Sequence, residues 1–82
     1  MLTDYLQAAA RQATYELLPD DGEFYGEIPP CPGVLATGKT LEECREGLLS
    51  ALEDWILFRI HRHLLLPVID GIELAVKAEA AS

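Results

Sequence analysis

The sequence predicts an α+β fold. An antiparallel sheet of three to four strands is backed by one long helix, in the order β-β-β-α-β, with a short helix ahead of it. Three observations carry this. Residues 12–18 and 24–28 alternate apolar and polar side chains on either side of Pro19-Asp20-Asp21-Gly22, which is hairpin patterning around a turn. Pro29, Pro30 and Pro32 cannot donate ladder hydrogen bonds, so they end the second strand. Thr40-Leu41-Glu42-Glu43 then opens a long apolar-periodic run, the signature of a capped helix.

Each element has its own local logic. Leu2, Tyr5, Leu6 and Ala9 recur at helical spacing and Thr3 is a cap candidate, so residues 3–10 read as a short helix within a leading segment 1–11. Ala13, Tyr15 and Leu17 share one face of the first strand, opposite Thr14 and Glu16. In the turn, proline presets one dihedral, the aspartates bond local backbone and Gly22 takes the positive φ. Phe24, Gly26 and Ile28 alternate with Tyr25 and Glu27 in the second strand. Gly33 lets the chain return, and residues 34–37 make a short third strand, so that the three strands fill 12–38.

The long helix is expected over 40–64, ending ahead of Pro67. Thr40 and Glu43 are expected to cap it reciprocally, with two carboxylates favouring the positive end of the helix dipole. Leu41, Cys44, Leu48, Ala51, Leu52, Trp55 and Phe58 fall on one arc, expected to face the sheet. Trp55 and Phe58 are also candidate partner anchors, but their arc assigns them to the core. Leu49, Ile56 and Ile60 form a second arc, with Leu57 beyond it. A helix of about 25 residues is roughly 37 Å long, whereas a seven-residue strand covers about 23 Å. The helix therefore overhangs its sheet where it is most apolar. After Asp70-Gly71, Ile72, Leu74 and Val76 alternate with Glu73 and Ala75, a fourth strand within 68–76.

Composition bounds function. The chain has 82 residues, half of them hydrophobic, and a net charge of −8. It reads as one domain, 1–82, whose size lets it bury only about 60–65% of its unfolded surface. The charge speaks against a nucleic-acid surface, which needs clustered Lys and Arg, and suits a basic protein partner or simple solubility. The two cysteines, Cys31 and Cys44, do not make a secreted disulfide framework. No basic-then-apolar leader is visible at the N-terminus, and the window from Trp55 to Ile69 is too short and too charged to span a bilayer, so a cytoplasmic location is expected.

Candidate chemistry is sparse. His61 and His63 lie about 200° apart on a helix and cannot grip one ion, so solvated helix-end histidines are the better reading. Cys31 has no histidine near it in sequence, and Cys44 sits on the core arc as a small hydrophobe. Asp20, Asp21, Glu23 and Glu27 could gather a divalent cation, but turn chemistry accounts for them. Gly33 through Thr40 reads G-x-x-x-x-G-K-T, a literal phosphate-loop match. It lacks the parallel sheet and strand-to-helix context that the motif needs. No catalytic, cofactor or metal site is expected.

The order of motifs is more telling. Phe24-Tyr25-Gly26-Glu27-Ile28-Pro29, then Pro32-Gly33, then Gly38-Lys39-Thr40-Leu41-Glu42-Glu43, then Leu48 through Leu52, resembles the HicB family of antitoxins. The likeness covers about residues 12–67, and Cys44 stands where that family usually has alanine. It implies a partial ribonuclease-H-like fold without catalytic carboxylates, and a non-catalytic module that blocks a small basic mRNA-cleaving toxin of the HicA type. The DNA-binding domain often found after this one in that family has no room here, so no direct nucleic-acid binding is expected. Glu23, Tyr25 and Glu27 are the expected toxin contacts. The alternatives are a stand-alone oligomeric scaffold or small-ligand binder and, behind it, a metal- or cysteine-dependent enzyme. Self-association as a homodimer or higher even oligomer is expected through Leu49, Ile56, Leu57, Ile60, Ile72 and Leu74, although an N-terminal helix bearing Leu2, Tyr5 and Leu6 could cover part of that stripe.

Overall fold

The computed structural model describes residues 2–73. Helix α1 spans Leu2–Arg11, strands β1 to β3 span Thr14–Leu18, Glu23–Glu27 and Leu35–Gly38, and helix α2 spans Leu41–His61. The strands form an antiparallel meander in the order β1-β2-β3. Tyr15 faces Gly26, which in turn faces Ala36. The α+β architecture expected from the sequence is therefore present, with three strands in the sheet. Thr3, the expected cap of α1, lies inside the helix.

One face of the sheet receives the first half of α2, over β2 and β3. The approach is close because the facing residues are small. A Cβ on Gly38 would fall 2.6 Å from the Cys44 backbone nitrogen, and one on Gly26 3.1 Å from the Cys44 Sγ. The Cys44 thiol donates to the Ala36 carbonyl at 3.5 Å. Cys44 is thus buried, as its arc requires, and burial pushes its thiol pKa up.

Beyond the sheet the core is built differently. The segment between β2 and β3 folds on itself: the Cys31 N–H donates to the Ile28 carbonyl and the Val34 N–H to the Cys31 carbonyl. Gly33 at φ +95° closes the loop. All three of Ile28, Cys31 and Val34 point inward and are buried. Helix α1 covers the adjoining side of α2 with Tyr5, Ala8 and Ala9, each fully buried. The Tyr5 hydroxyl donates to the Pro67 carbonyl at 2.7 Å, tying α1 to the segment that follows α2.

Helix α2 ends at a left-handed residue. His63 has φ +58°, its N–H donates to the Ile60 carbonyl, and the Leu64 N–H donates to the Arg59 carbonyl at 2.8 Å. This is the paired hydrogen-bond pattern of a Schellman stop, with histidine where glycine is usual. Further on, Asp70 and Gly71 both have positive φ and Ile69 pairs with Ile72. That is a two-residue hairpin turn of the type that Asp-Gly favours. The fourth strand expected at Ile72–Val76 lies mostly outside the described residues, and Leu74 lies wholly outside them.

The apolar arcs of α2 are redistributed relative to the sequence reading. Ile56, expected on an uncovered stripe, is 2% exposed and belongs to the core. Ile60 and Ile72 pack against that core, and Leu49 is half-buried. The physical reason is α1, which lies along this stripe, together with the chain returning at Ile69. Conversely, Leu41 and Phe58, expected in the core, are exposed. Leu41 begins the helix outside the sheet's cover, and Phe58 lies past the sheet's end on the side that α1 does not reach.

Candidate protein-binding face

The sheet has a second face, and no element of the described residues packs on it. Strand alternation assigns it directly. Gly26 meets Cys44 on the helix side, so Tyr25, Glu23 and Glu27 project from the opposite side. Register then adds their cross-strand neighbours. Glu16 lies opposite Tyr25, Thr14 opposite Glu27, and Leu18 opposite Glu23. On the other flank Thr37 lies opposite Tyr25 and Leu35 opposite Glu27. The face therefore carries three carboxylates around one tyrosine, with Leu35 exposed beside them and no Lys or Arg among its strand residues.

Tyr25 anchors this arrangement. Its hydroxyl donates to Glu27 Oε1 at 3.1 Å. That hydrogen bond to a carboxylate holds the phenol above its ordinary pKa, and slight desolvation and the negative charge of Glu27 and Glu16 add to the effect. The ring thus sits among carboxylates, with its hydroxyl bonded to one of them. An aromatic ring with a polar tip suits an interface, where its large apolar area and its hydroxyl can both be used. The sequence singles out Glu23, Tyr25 and Glu27, and all three lie on this face. Glu16 and Leu35 join them only through register, for which the hairpin turn length is the sequence signal that sets Glu16 opposite Tyr25.

Thr40 is the N-cap of α2, with its hydroxyl accepting from the Glu43 N–H at 3.1 Å. The return bond goes one residue further back than expected: the Lys39 N–H, not that of Thr40, donates to Glu43 Oε1 at 3.1 Å. This cap fixes where β3 gives way to α2 and so sets the sheet against the helix. The G-x-x-x-x-G-K-T segment is extended, with Leu35–Gly38 paired to β2, so its backbone does not wrap a phosphate. His61 ends α2 and His63 takes the left-handed turn after it. Among the described residues no three of His, Cys, Asp and Glu gather as a metal site. Cys31 and Cys44 are both free thiols and both buried. Burial raises the Cys31 pKa to about 11, against a smaller opposing effect of Arg59. Those buried thiols are neutral and inaccessible at neutral pH.

A cleft of about 510 Å³ lies between α1, β1 and the first turn of α2, lined by Gln7, Arg11, Tyr15, Leu41, Glu42 and Arg45 among others. It exists because α2 covers β2 and β3 and stops short of β1. Among the described residues no helix is long and apolar enough to cross a membrane.

Residues 4–67 match the UPF0150-like family. No curated protein matches the chain. Among solved structures, the crystal structure of TTHA0281 from Thermus thermophilus superposes with a TM-score of 0.86. It is 47% identical, over 93% of this chain and 94% of that one.

Proposed function

We propose that this chain, which belongs to the UPF0150-like family, is a non-catalytic protein-binding module of antitoxin type that neutralises a small basic toxin of the HicA class. The observation that carries the reading is the uncovered sheet face, where Glu16, Glu23 and Glu27 surround Tyr25 without a basic residue among them. Burying such a face against a neutral or acidic partner would leave carboxylates desolvated and unpaired, which is costly. A basic partner supplies the missing charges and is drawn in by the net charge of −8. The HicB-like order of motifs is compatible with this face, since Tyr25 and Glu27 lie within the first of those motifs, Phe24-Tyr25-Gly26-Glu27-Ile28-Pro29. The module acts by occlusion, covering the toxin's basic, RNA-facing surface with carboxylates that stand where phosphates would.

The test is to search the flanking genes for a short basic open reading frame and to co-express its product with this chain. The pair should co-purify at low salt and separate progressively as salt rises. Replacing Glu23 and Glu27 by lysine together should weaken the complex by roughly tenfold or more, chiefly through slower association. A neighbouring basic protein that does not co-purify at low salt would rule the reading out. The cleft beside Tyr15 favours a second reading, small-ligand binding. That reading calls for a metabolite whose thermal stabilisation of the protein is lost in Arg45→Ala.

A further inference from the structure

Among the described residues, five of the ten exposed large hydrophobic ones fall within the twelve residues from Leu57 to Val68. They lie where α2 has run past its sheet, in a molecule 50 Å in its longest dimension. Phe58 is 53% exposed and Leu57 62%. The Arg62 guanidinium lies over the Phe58 ring at 5.3 Å and that of Arg59 over Trp55 at 4.9 Å. Aromatic residues and arginine are enriched at interfaces, and an arginine over a ring adds a cation–π attraction.

The charges on this flank are ordered. Asp54, Phe58 and Arg62 are four residues apart and share one face of the helix, and both charged residues are exposed. The acid lies one turn before the ring and the base one turn after it. A twofold axis through Phe58, relating antiparallel helices, maps position 54 onto position 62. Such a contact is self-complementary: it stacks the two phenylalanines and makes two ion pairs at once. A basic protein would meet Arg59, His61 and Arg62 here, and an anionic lipid surface would meet Glu53 and Asp54, so each would be opposed by one half of the flank. We infer that this flank of α2 binds a second copy of the chain, antiparallel about Phe58, with Asp54 of each protomer against Arg62 of the partner subunit. The surface lies away from the acidic sheet face, so the inference stands or falls independently of the proposed function.

Sedimentation across micromolar to hundred-micromolar concentrations tests it. The natural protein should dimerise. Asp54→Arg alone and Arg62→Asp alone should each weaken the dimer at least about tenfold, since each places like charges together twice. The two changes combined restore opposite charges and should return the dimer to within about threefold of the natural affinity. Circular dichroism confirms that these surface variants remain folded, and Phe58→Asp should give a monomer. Single reversals that leave the dimer unchanged, or a double variant no tighter than the singles, would overturn the inference. So would a natural protein that stays monomeric at the top of the range, including one that instead sediments with phosphatidylserine vesicles.

Discussion

The two halves of α2 are buried by different means. The first half lies on a sheet through small residues, with Gly26, Ala36 and Gly38 on the strands and Cys44 and Gly47 on the helix. Close backbone approach supplies the contact, and little room remains for anything larger. The second half lies against α1 and the Ile28–Val34 loop through Leu52 and Ile56, so large side chains fill the space. A sheet is broad and covers a helix evenly. Helix α1 is a narrow ten-residue element that covers one side, which leaves Leu57 and Phe58 outside. One continuous helix thus presents a closed face where it meets strands and an open flank where it meets only a helix.

The sharpest way to break the first half is to add volume at Gly38. Valine there would drive a side chain into the Cys44 backbone, which cannot rotate away. The expected loss is about 3 kcal/mol, the upper part of the range for overpacking, read as a lower urea midpoint. An unchanged midpoint would mean that the sheet and helix are not in close contact.

Next in size comes an alkaline loss of stability that originates in groups packed around the second half. Burial raises Tyr5 to about 12 from 10.0, and Cys31 to about 11 from 9.0. Both groups are neutral acids whose folded pKa lies above the unfolded value. Their contribution is therefore complete below about pH 9 and is lost as pH climbs through 9–11 for Cys31 and 10–12 for Tyr5. The loss attributable to Cys31 should be roughly 1–2 kcal/mol after allowance for solvent screening. Cys31→Ala should start from lower stability and fall less steeply between pH 9 and 11; parallel curves for the two proteins would dismiss the buried thiol as the cause.

The cap is a smaller effect, of about 1 kcal/mol. Thr40→Ala removes the acceptor for the Glu43 N–H and should lower the denaturation midpoint, with the slope against denaturant unchanged. Smallest, and opposite in sign, is His63→Gly. The left-handed backbone at the end of α2 suits glycine, so this change should stabilise by about 0.5–1 kcal/mol. A destabilised glycine variant would mean that the His63 side chain contributes more than its backbone strain costs.

Much of this architecture is legible in the sequence because it is local. The Pro19–Gly22 turn, the Thr40 cap and the Asp70-Gly71 turn each depend on a few adjacent residues, and each is where local chemistry puts it. Alternation likewise identified Glu23, Tyr25 and Glu27 as sharing a face. Periodicity tells which residues of a helix share an arc, but not what covers that arc. Ile56 read as uncovered because its neighbours, Tyr5 and Ile69, are distant in sequence. Phe58 falls on the core arc by periodicity, yet that arc runs on past the end of the sheet and leaves it exposed. Gly26 and Gly38 carried a signal of close approach, but only the helix lying on them gives those positions a partner.

The Tyr5–Pro67 hydrogen bond, which spans 62 positions along the chain, has a consequence for the order of assembly during translation. The meander and the start of α2 rest on near neighbours and can form while synthesis continues. Helix α1 emerges before the sheet yet must wait for the Pro67 segment before its tyrosine finds an acceptor. An isolated ten-residue helix is too short to hold its shape in water. The residues of α1, made ahead of the sheet, are therefore among the last to settle, and for that interval Ile56 and Leu52 lack their cover. Amide exchange on the finished protein should carry the same imprint, with α1 opening at lower free energy than the sheet and the first turns of α2.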